Sequence, residues 1–436
     1  LMVEKKYGKS KFKDNKNAFR KACREYASKQ INKQKIDFIR LGVVADWENP
    51  YTSMDKDFEA SVVKSFSSIL KNNHIYHGSK PVHWCIESES ALAEAEVEYK
   101  DLVSDAVDIL FKISDQNKFK KVFSLEDLKG DIYCCIWTTT PWTLPANQAI
   151  AIGSNIDYVL VKIKDKHVII AEDLVDNFFE KALDEIAPKD FIKKFKGDSL
   201  LGFQTEHPFY NKVVPIITAA HVTTENGTGL VHIAPGHGQD DYIAGLENNL
   251  EVFNPVNDKG IFIESLELFG GLHVRKANDP IIKCLVDNDK ILHHEKYNHS
   301  YPHCWRFKTP LIFRATPQWF VSMDQGSLRK KINDNLDKVN WVPGWGYDRI
   351  KNMIKNRPDW CISRQRFWGV PIPLFVNKET NELHIDTSKI LDKVADIISR
   401  ENIEGWFDFD KSKLISNPDE YYMVTDTLDV WFDSGV

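Results

Sequence analysis

The chain changes its hydrophobic period twice, and any fold it adopts must accommodate both changes. Up to about residue 73 the apolar residues repeat with helical spacing. Phe19, Ala22, Cys23 and Tyr26 recur at i, i+3, i+4 and i+7 in a predicted helix over 17–40. Phe58, Val62, Phe66, Ile69 and Leu70 form the stripe of a second helix over about 55–73, with Gly78 shortly after its end. From about 93 to 300 the texture is that of strands. Residues 158–163 and 167–171 read as a hairpin turning at Lys164-Asp165-Lys166, and 213–218 and 230–234 as strands separated by the loop 224–229. Mixed α and β return after 300, and 377–420 is charged and helix-like around 390–398. A β-rich insertion that splits a host domain gives this order; so do three domains in series. A length of 436 residues accommodates either.

Composition removes several classes. Apolar residues make up 42 % and charged residues 28 %, enough apolar mass for sizeable cores. Twelve Trp, 14 Tyr and 25 Phe argue against disorder. No run approaches the roughly 18 apolar residues of a membrane-spanning helix, and no N-terminal apolar segment reads as a secretory signal. No membrane association and a cytoplasmic location are therefore expected. The chain opens Leu1-Met2-Val3 and ends Asp433-Ser434-Gly435-Val436, and these ends predict an internal piece of a longer protein. Seven cysteines, scattered apart from Cys134-Cys135, predict reduced thiols rather than a disulfide framework. Net charge is −6, yet residues 1–40 carry 13 Lys and Arg against four acids, a local +9. Such a basic arm can touch phosphate or can be a solvated helix face.

Two clusters concentrate groups capable of chemistry. The first is Trp137-Thr138-Thr139-Thr140-Pro141-Trp142-Thr143-Leu144-Pro145-Ala146-Asn147. Three β-branched hydroxyls end a strand, and two prolines then force the backbone out of its sheet. Hydroxyls and an amide there hold a water or a small polar ligand, or simply finish a strand. The second is Gly227-Thr228-Gly229-Leu230-Val231-His232-Ile233-Ala234-Pro235-Gly236-His237-Gly238-Gln239-Asp240-Asp241-Tyr242. Here a strand delivers His232, a Gly/Pro turn follows, and two acids open a helix. His232 can orient water, and an aspartate can pair with a substrate ammonium. The plainer account makes Asp240 or Asp241 an N-cap. A metal site of His232, His237, Asp240 and Asp241 is a further reading, although the spacing matches no zinc motif. His83-Trp84-Cys85 and His303-Cys304 each resemble half of a metal knuckle, with Ser88 and Phe307 where second cysteines would stand.

Together these segments resemble the isoleucyl-tRNA synthetase family, in a bacterial-like form, among the class I aminoacyl-tRNA synthetases. The 137–147 stretch looks like that family's editing-site threonine run, where valyl and leucyl enzymes typically show Thr-Thr-Arg-Pro. Residues 80–85 with 91–99, 227–242, 300–324, 359–371 and 426–435 match the same family in the same order. The resemblance implies an α/β fold, an interrupted Rossmann-like class I core with an inserted β-rich, barrel-like editing domain. It implies core and connective helices over 1–92, the editing insertion over 93–298 and a return to the connective region and core over 299–375. A second, smaller insertion follows over 376–424, and 425–436 begins a core strand or loop. The family's His-Ile-Gly-His and Lys-Met-Ser-Lys-Ser motifs and its anticodon-binding domain would lie outside this chain. The implied parent joins isoleucine to tRNA(Ile) with ATP and Mg as a monomer, and the part present edits Val-tRNA(Ile).

Carried over by motif, Thr138, Thr139, Thr140, Asn147, His232 and Asp241 form the catalytic set. His232 would approach the terminal ribose or the attacking water, and Asp241 would bind the α-ammonium. Trp137, Gly236 and His237 would line the editing pocket, and Trp368 the wall of the synthetic site. Ala220 replaces an acid common in the family. Of the two Cys-x-x-Cys pairs that hold zinc in some members, only Cys85 and Cys304 remain, which puts zinc in doubt. Editing is needed because one methylene is worth only about 1–3 kcal/mol, a magnitude for which the isoleucine enzymes are themselves the standard example. No threonine has an adjacent base, so a positioned water is expected rather than an acyl-enzyme. A metal-dependent hydrolase using His232, His237 and Asp241, and a non-catalytic tRNA-binding piece, are the competing readings.

Overall fold

The structure, a computed structural model, describes residues 2–7, 15–188 and 190–436. Leu1, residues 8–14 and Lys189 lie outside the described residues, and part of the basic N-terminal arm falls among them. The chain is mixed α/β and divides into two compact units, Leu1–Gly78 with Gln318–Val436, and Ser79–Pro317. No described helix is long and apolar enough to cross a membrane.

The first unit is built on two helices. Lys56–Lys71 starts at Asp55, whose side chain accepts the Asp57 N–H at 2.9 Å, and it buries Ala60, Val62, Val63 and Phe66. These pack in one core with Ile390, Leu391, Val394, Ile398 and Trp406 of Thr387–Asp408. That second helix kinks at Asn402, where φ is 60°. Phe375–Asn377 pairs antiparallel with Tyr421–Met423, so the excursion carrying this helix returns beside its start. The helix Lys16–Arg40 uses its predicted stripe only in part. Phe19 and Arg20 are buried, while Ala22, Cys23 and Tyr26 are half-buried. Ion pairs do the remaining work, since Arg24 reaches Glu59 at 2.7 Å and Glu404 at 2.9 Å.

The second unit holds two sheets. Six strands run in the order Ile291–Cys304, Val97–Lys112, Ile132–Thr138, Lys166–Ala171, Asp157–Ile163 and Lys193–Lys196. The first two form a long antiparallel ladder from Val97↔Cys304 to Ile291↔Ile109, which brings the ends of the strand-rich run together. The predicted hairpin turns at Lys164, whose φ of 55° is the left-handed backbone conformation such a tight turn needs. Four strands form the other sheet, Leu230–Ile233, Ala149–Ile152, Val213–Thr218 and Gln204–Glu206. Neither order closes on itself, but an Ile113↔Thr205 bridge joins the two sheets. Ala149 and Ala151 are small, and they let Ala244 of the helix Gln239–Glu247 reach the same core as Ile217 and Ile233.

Candidate active site

A hydrogen bond links the segment that follows one sheet to a strand of the other. Ile132–Thr138 ends in the threonine run, and the chain turns into a short 3-10 segment, Pro141–Ala146. Thr140 precedes it, and Pro141 fits the first helical position, where no N–H is needed. One turn of 3-10 helix places the Thr143 hydroxyl on the Thr140 carbonyl at 2.9 Å. The same hydroxyl lies 3.0 Å from Nε2 of His232, delivered by Leu230–Ile233. Asn147 Nδ2 donates to the Ala149 carbonyl at 2.9 Å and faces His232 Nδ1 at 3.5 Å. These partners assign His232 as the Nε2–H tautomer, with Nδ1 accepting. Burial holds its pKa down at about 4, so the ring is neutral at pH 7. Both ring nitrogens are engaged, Nε2 with Thr143 and Nδ1 with Asn147.

The turn after His232 brings Asp241 back to the strand it left. Asp241 Oδ2 accepts the Ala234 N–H at 2.9 Å. The helix N-cap is Gly238, not Asp240 or Asp241 as the plainer account predicted, because the Asp241 side chain caps the strand exit instead. Burial, then the nearby Asp240 charge, raises the Asp241 pKa to about 7 against the lowering effect of that hydrogen bond. His221 Nε2 stands 3.9 Å from Asp241 Oδ1. His237 donates from Nδ1 to the Phe313 carbonyl at 3.0 Å and packs edge-on to Trp142 at 5.0 Å. Its Nε2 and the Asn147 Oδ1 are buried without hydrogen-bond partners among the described residues, and such orphaned atoms mark where a ligand or water belongs.

The other sequence-derived residues divide. Thr138 and Thr140 join the cluster, with hydroxyl oxygens 3.3 Å apart, and Thr139 is half-buried beside them in sequence. Gly236 serves close packing: a Cβ there would lie 2.2 Å from the Phe253 carbonyl oxygen. Trp137 does not join, because adjacent strand residues point to opposite faces. Its ring meets Tyr297 at 5.4 Å and Lys181 at 5.5 Å, in a separate cavity of about 230 Å³. Trp368 belongs to the other unit, half-buried, with the Arg24 guanidinium 5.3 Å from its ring. Thr143 was missed as a site residue, although its i+3 spacing from Thr140 was visible. His207 and Lys212 were missed as supports. His207 Nε2 meets the Leu144 carbonyl at 3.1 Å and Lys212 Nζ the Asn147 carbonyl at 2.5 Å, so both hold the 3-10 segment in place.

The sequence family described as "tRNA synthetases class I (I, L, M and V)" matches residues 1–436. The chain belongs to the class I tRNA synthetases. It is 51 % identical over 435 residues to the isoleucine--tRNA ligase of Francisella philomiragia subsp. philomiragia, covering 100 % of this chain and 46 % of that protein. The isoleucine--tRNA ligase of Francisella tularensis subsp. novicida is similar to the same extent, 51 % over 435 residues with 46 % of its length covered. The chain thus spans about half the length of the curated relatives it matches. It is also similar to the crystal structure of the P. knowlesi cytosolic leucyl-tRNA synthetase editing domain, with TM-score 0.37 and 12 % identity over 45 % of this chain and 98 % of that one. For the P. falciparum counterpart the TM-score is 0.35 and the identity 14 %, over 44 % of this chain and 100 % of that one.

Metal holding can be weighed on the donor atoms. Nδ1 of His237, both nitrogens of His232 and Oδ2 of Asp241 are bound to protein groups, and no described group of three or more His, Cys, Asp and Glu could hold a metal ion. The knuckle residues do not fit the four ligands structural zinc requires. Cys85 and Cys304 lie buried together with Leu92 and Leu311, and the Cys304 thiol and then burial push the Cys85 thiol far above its ordinary range. Ser88 donates to the Cys85 carbonyl at 3.4 Å, Phe307 packs on the apolar cluster, and His303 Nδ1 is spent on the Tyr301 carbonyl at 2.8 Å.

Proposed function

We propose that this chain carries the editing site of an isoleucine--tRNA ligase, which hydrolyses mischarged Val-tRNA(Ile) and spares Ile-tRNA(Ile). The observation that carries the reading is the Thr143–His232 hydrogen bond at 3.0 Å, which joins the threonine run to the Gly/His/Asp segment in one buried cluster. In this reading the α-ammonium pairs with Asp241, the threonine methyls and Trp142 close the pocket to the extra methylene of isoleucine, and Asn147 and His237 offer unpartnered polar atoms to the reacting ester. Water oxygen adds to the ester carbonyl carbon, the carbonyl–ribose bond breaks, and the ribose oxygen leaves as a hydroxyl with a proton from that water. The neutral His232 holds the Thr143 hydroxyl and the Asn147 amide in register for that water, a positioning role that costs no reorganisation during reaction.

The same proposal extends to the whole protein. It ligates isoleucine to tRNA(Ile) with ATP and Mg, as a cytoplasmic monomer. Residues 93–298 form its editing insertion, whose two bridged sheets are the walls of a barrel-like body, and 376–424 a second insertion. Residues 1–92, 299–375 and 425–436 are the parts of its Rossmann-like core and connectives, with Trp368 on the isoleucine pocket. No step of the hydrolysis draws on ATP or a metal.

Deacylation of Val-tRNA(Ile) and Ile-tRNA(Ile) by this chain, with and without EDTA and beside Asp241→Ala, tests the site. Selective loss of valine that survives chelation and disappears in the variant is expected. Hydrolysis abolished by EDTA would return the site to metal chemistry. Absence of hydrolysis by folded protein would reduce the chain to a non-catalytic piece.

A further inference from the structure

The helical hairpin of residues 325–357 is weakly integrated into its unit. Its helices are Leu328–Leu336 and Trp345–Lys355, and of their residues only Leu336 is buried. Arg329 clasps the two together, bonding Asp324 at 2.8 Å, the Ile354 carbonyl at 2.5 Å and the Arg357 carbonyl at 2.8 Å. The Tyr347 hydroxyl adds a bond to Asp337 at 2.7 Å. The hairpin therefore has a defined shape with almost no apolar anchor.

Its charge runs against that of the chain. Residues 325–357 hold eight Lys and Arg against three Asp, a local +5 in a chain of −6. Lys330, Lys331, Arg349 and Lys355 are exposed and have no carboxylate partner among the described residues. A solvated basic helix would account for the lysines alone, but it does not account for what lies among them. Trp345 is 64 % exposed and Met353 49 % exposed, and both share a face with Arg349 at i, i+4 and i+8. Val342, 85 % exposed, precedes the helix. Apolar side chains gathered on one exposed face mark an interaction site. An indole flanked by unpaired cations fits RNA in particular: the cations meet phosphates, and the ring takes an unstacked base of any identity.

We propose that the 325–357 hairpin is an RNA-docking surface, with Lys330, Lys331, Arg349 and Lys355 on phosphates and Trp345 against an unpaired base. That the RNA is a tRNA rests on the function proposed above. The surface acts in binding only and contributes nothing to the chemistry at Asp241.

Fluorescence anisotropy of a labelled tRNA(Ile) transcript with this chain, at low and at physiological salt, tests the assignment. Arg349→Glu with Lys355→Glu is expected to weaken binding about tenfold or more and to flatten the salt dependence by about one to two phosphate contacts. Lys330→Glu with Lys331→Glu, on the other helix, should do the same. Trp345→Ala should lose about fivefold or more while keeping the salt slope. Lys393→Glu, exposed on another helix, should bind like the parent. Circular dichroism confirms that each variant is folded. Unchanged affinity in the hairpin variants, equal weakening in Lys393→Glu, or no binding of tRNA by the parent would each overturn the proposal. The Asp241→Ala deacylation assay stands apart from all three outcomes, so failure of the hairpin and failure of the editing site are separable.

Discussion

Thr143 ties two segments 89 residues apart, donating to Thr140 and accepting from His232. Thr143→Val keeps the shape but strands the buried Nε2–H of His232. A cost of about 1–3 kcal/mol in stability and a large fall in valine deacylation are expected, with Thr143→Ser retaining most of both. Melting curves and single-turnover hydrolysis of the two variants check this. Asp241 makes a different demand. With its pKa raised to about 7, the folded chain binds a proton that the unfolded chain, with an ordinary value of about 3.9, releases. Stability therefore falls as pH rises between about 4 and 7, and Asp241→Asn should remove that slope, gaining on the order of a few kcal/mol over the parent at pH 8. Only the ionised form pairs with an ammonium, so kcat/KM for Val-tRNA(Ile) should climb through about pH 7. Denaturant titrations at pH 5 and 8 and a pH–rate profile measure the two effects. From the residues alone Asp240 and Asp241 were not told apart, and Asp241 was named only through the family resemblance; its proton was not legible, because a pKa depends on burial that no motif encodes.

At the scale of elements, the strand end was legible because proline cannot continue a ladder, and the hairpin at Lys164 because strand periodicity breaks there. What escaped were contacts across long separations. His207 lies 63 residues from the Leu144 carbonyl it holds, and nothing local marks either as a partner. Trp137 shows the complementary error: it stands next to Thr138 in sequence, yet strand pleating sends it to another cavity. Gly236 sits in a glycine-rich stretch that suggests ligand approach, while the structure has it against the Phe253 carbonyl. Gly236→Ala should then act through backbone displacement, costing about 1–3 kcal/mol or more and disturbing Asp241 on the far side of the turn. Thermal melting should show the loss before any substrate is added; an unchanged melting temperature would mean the turn relaxes freely.

The whole molecule holds two buried populations of titratable groups, and they respond to acid with opposite signs. In Ser79–Pro317, burial lowers His83, His232 and His237 to about 4 and His207 to about 3. The unfolded chain protonates such groups below about 6.5, so the stability they contribute is present above that value and is lost as pH falls toward 4. Burial lowers His167, His221, His273 and His299 of this unit in the same direction, and Asp241 works against the loss in the same window. In Leu1–Gly78 with Gln318–Val436, burial instead raises Glu59 to about 7, Asp426 to about 6 and Asp433 to about 8. Those carboxyls keep protons that the unfolded chain releases, so that unit gains stability as pH falls from about 8 toward 4. The split follows from where each residue type is buried; 11 of the 14 His fall within 79–317, whereas the acids are spread evenly over both units, so the sequence marks the first population and not the second. Hydrogen–deuterium exchange read by mass spectrometry resolves the units separately. Between about pH 7.5 and 4.5, after correction for intrinsic rates, amide protection should fall in the strands around His232 and hold or rise in the helices Lys56–Lys71 and Thr387–Asp408. Parallel loss in both units would mean that the carboxyls of the first unit are ionised in the fold, Glu59 within its pair with Arg24.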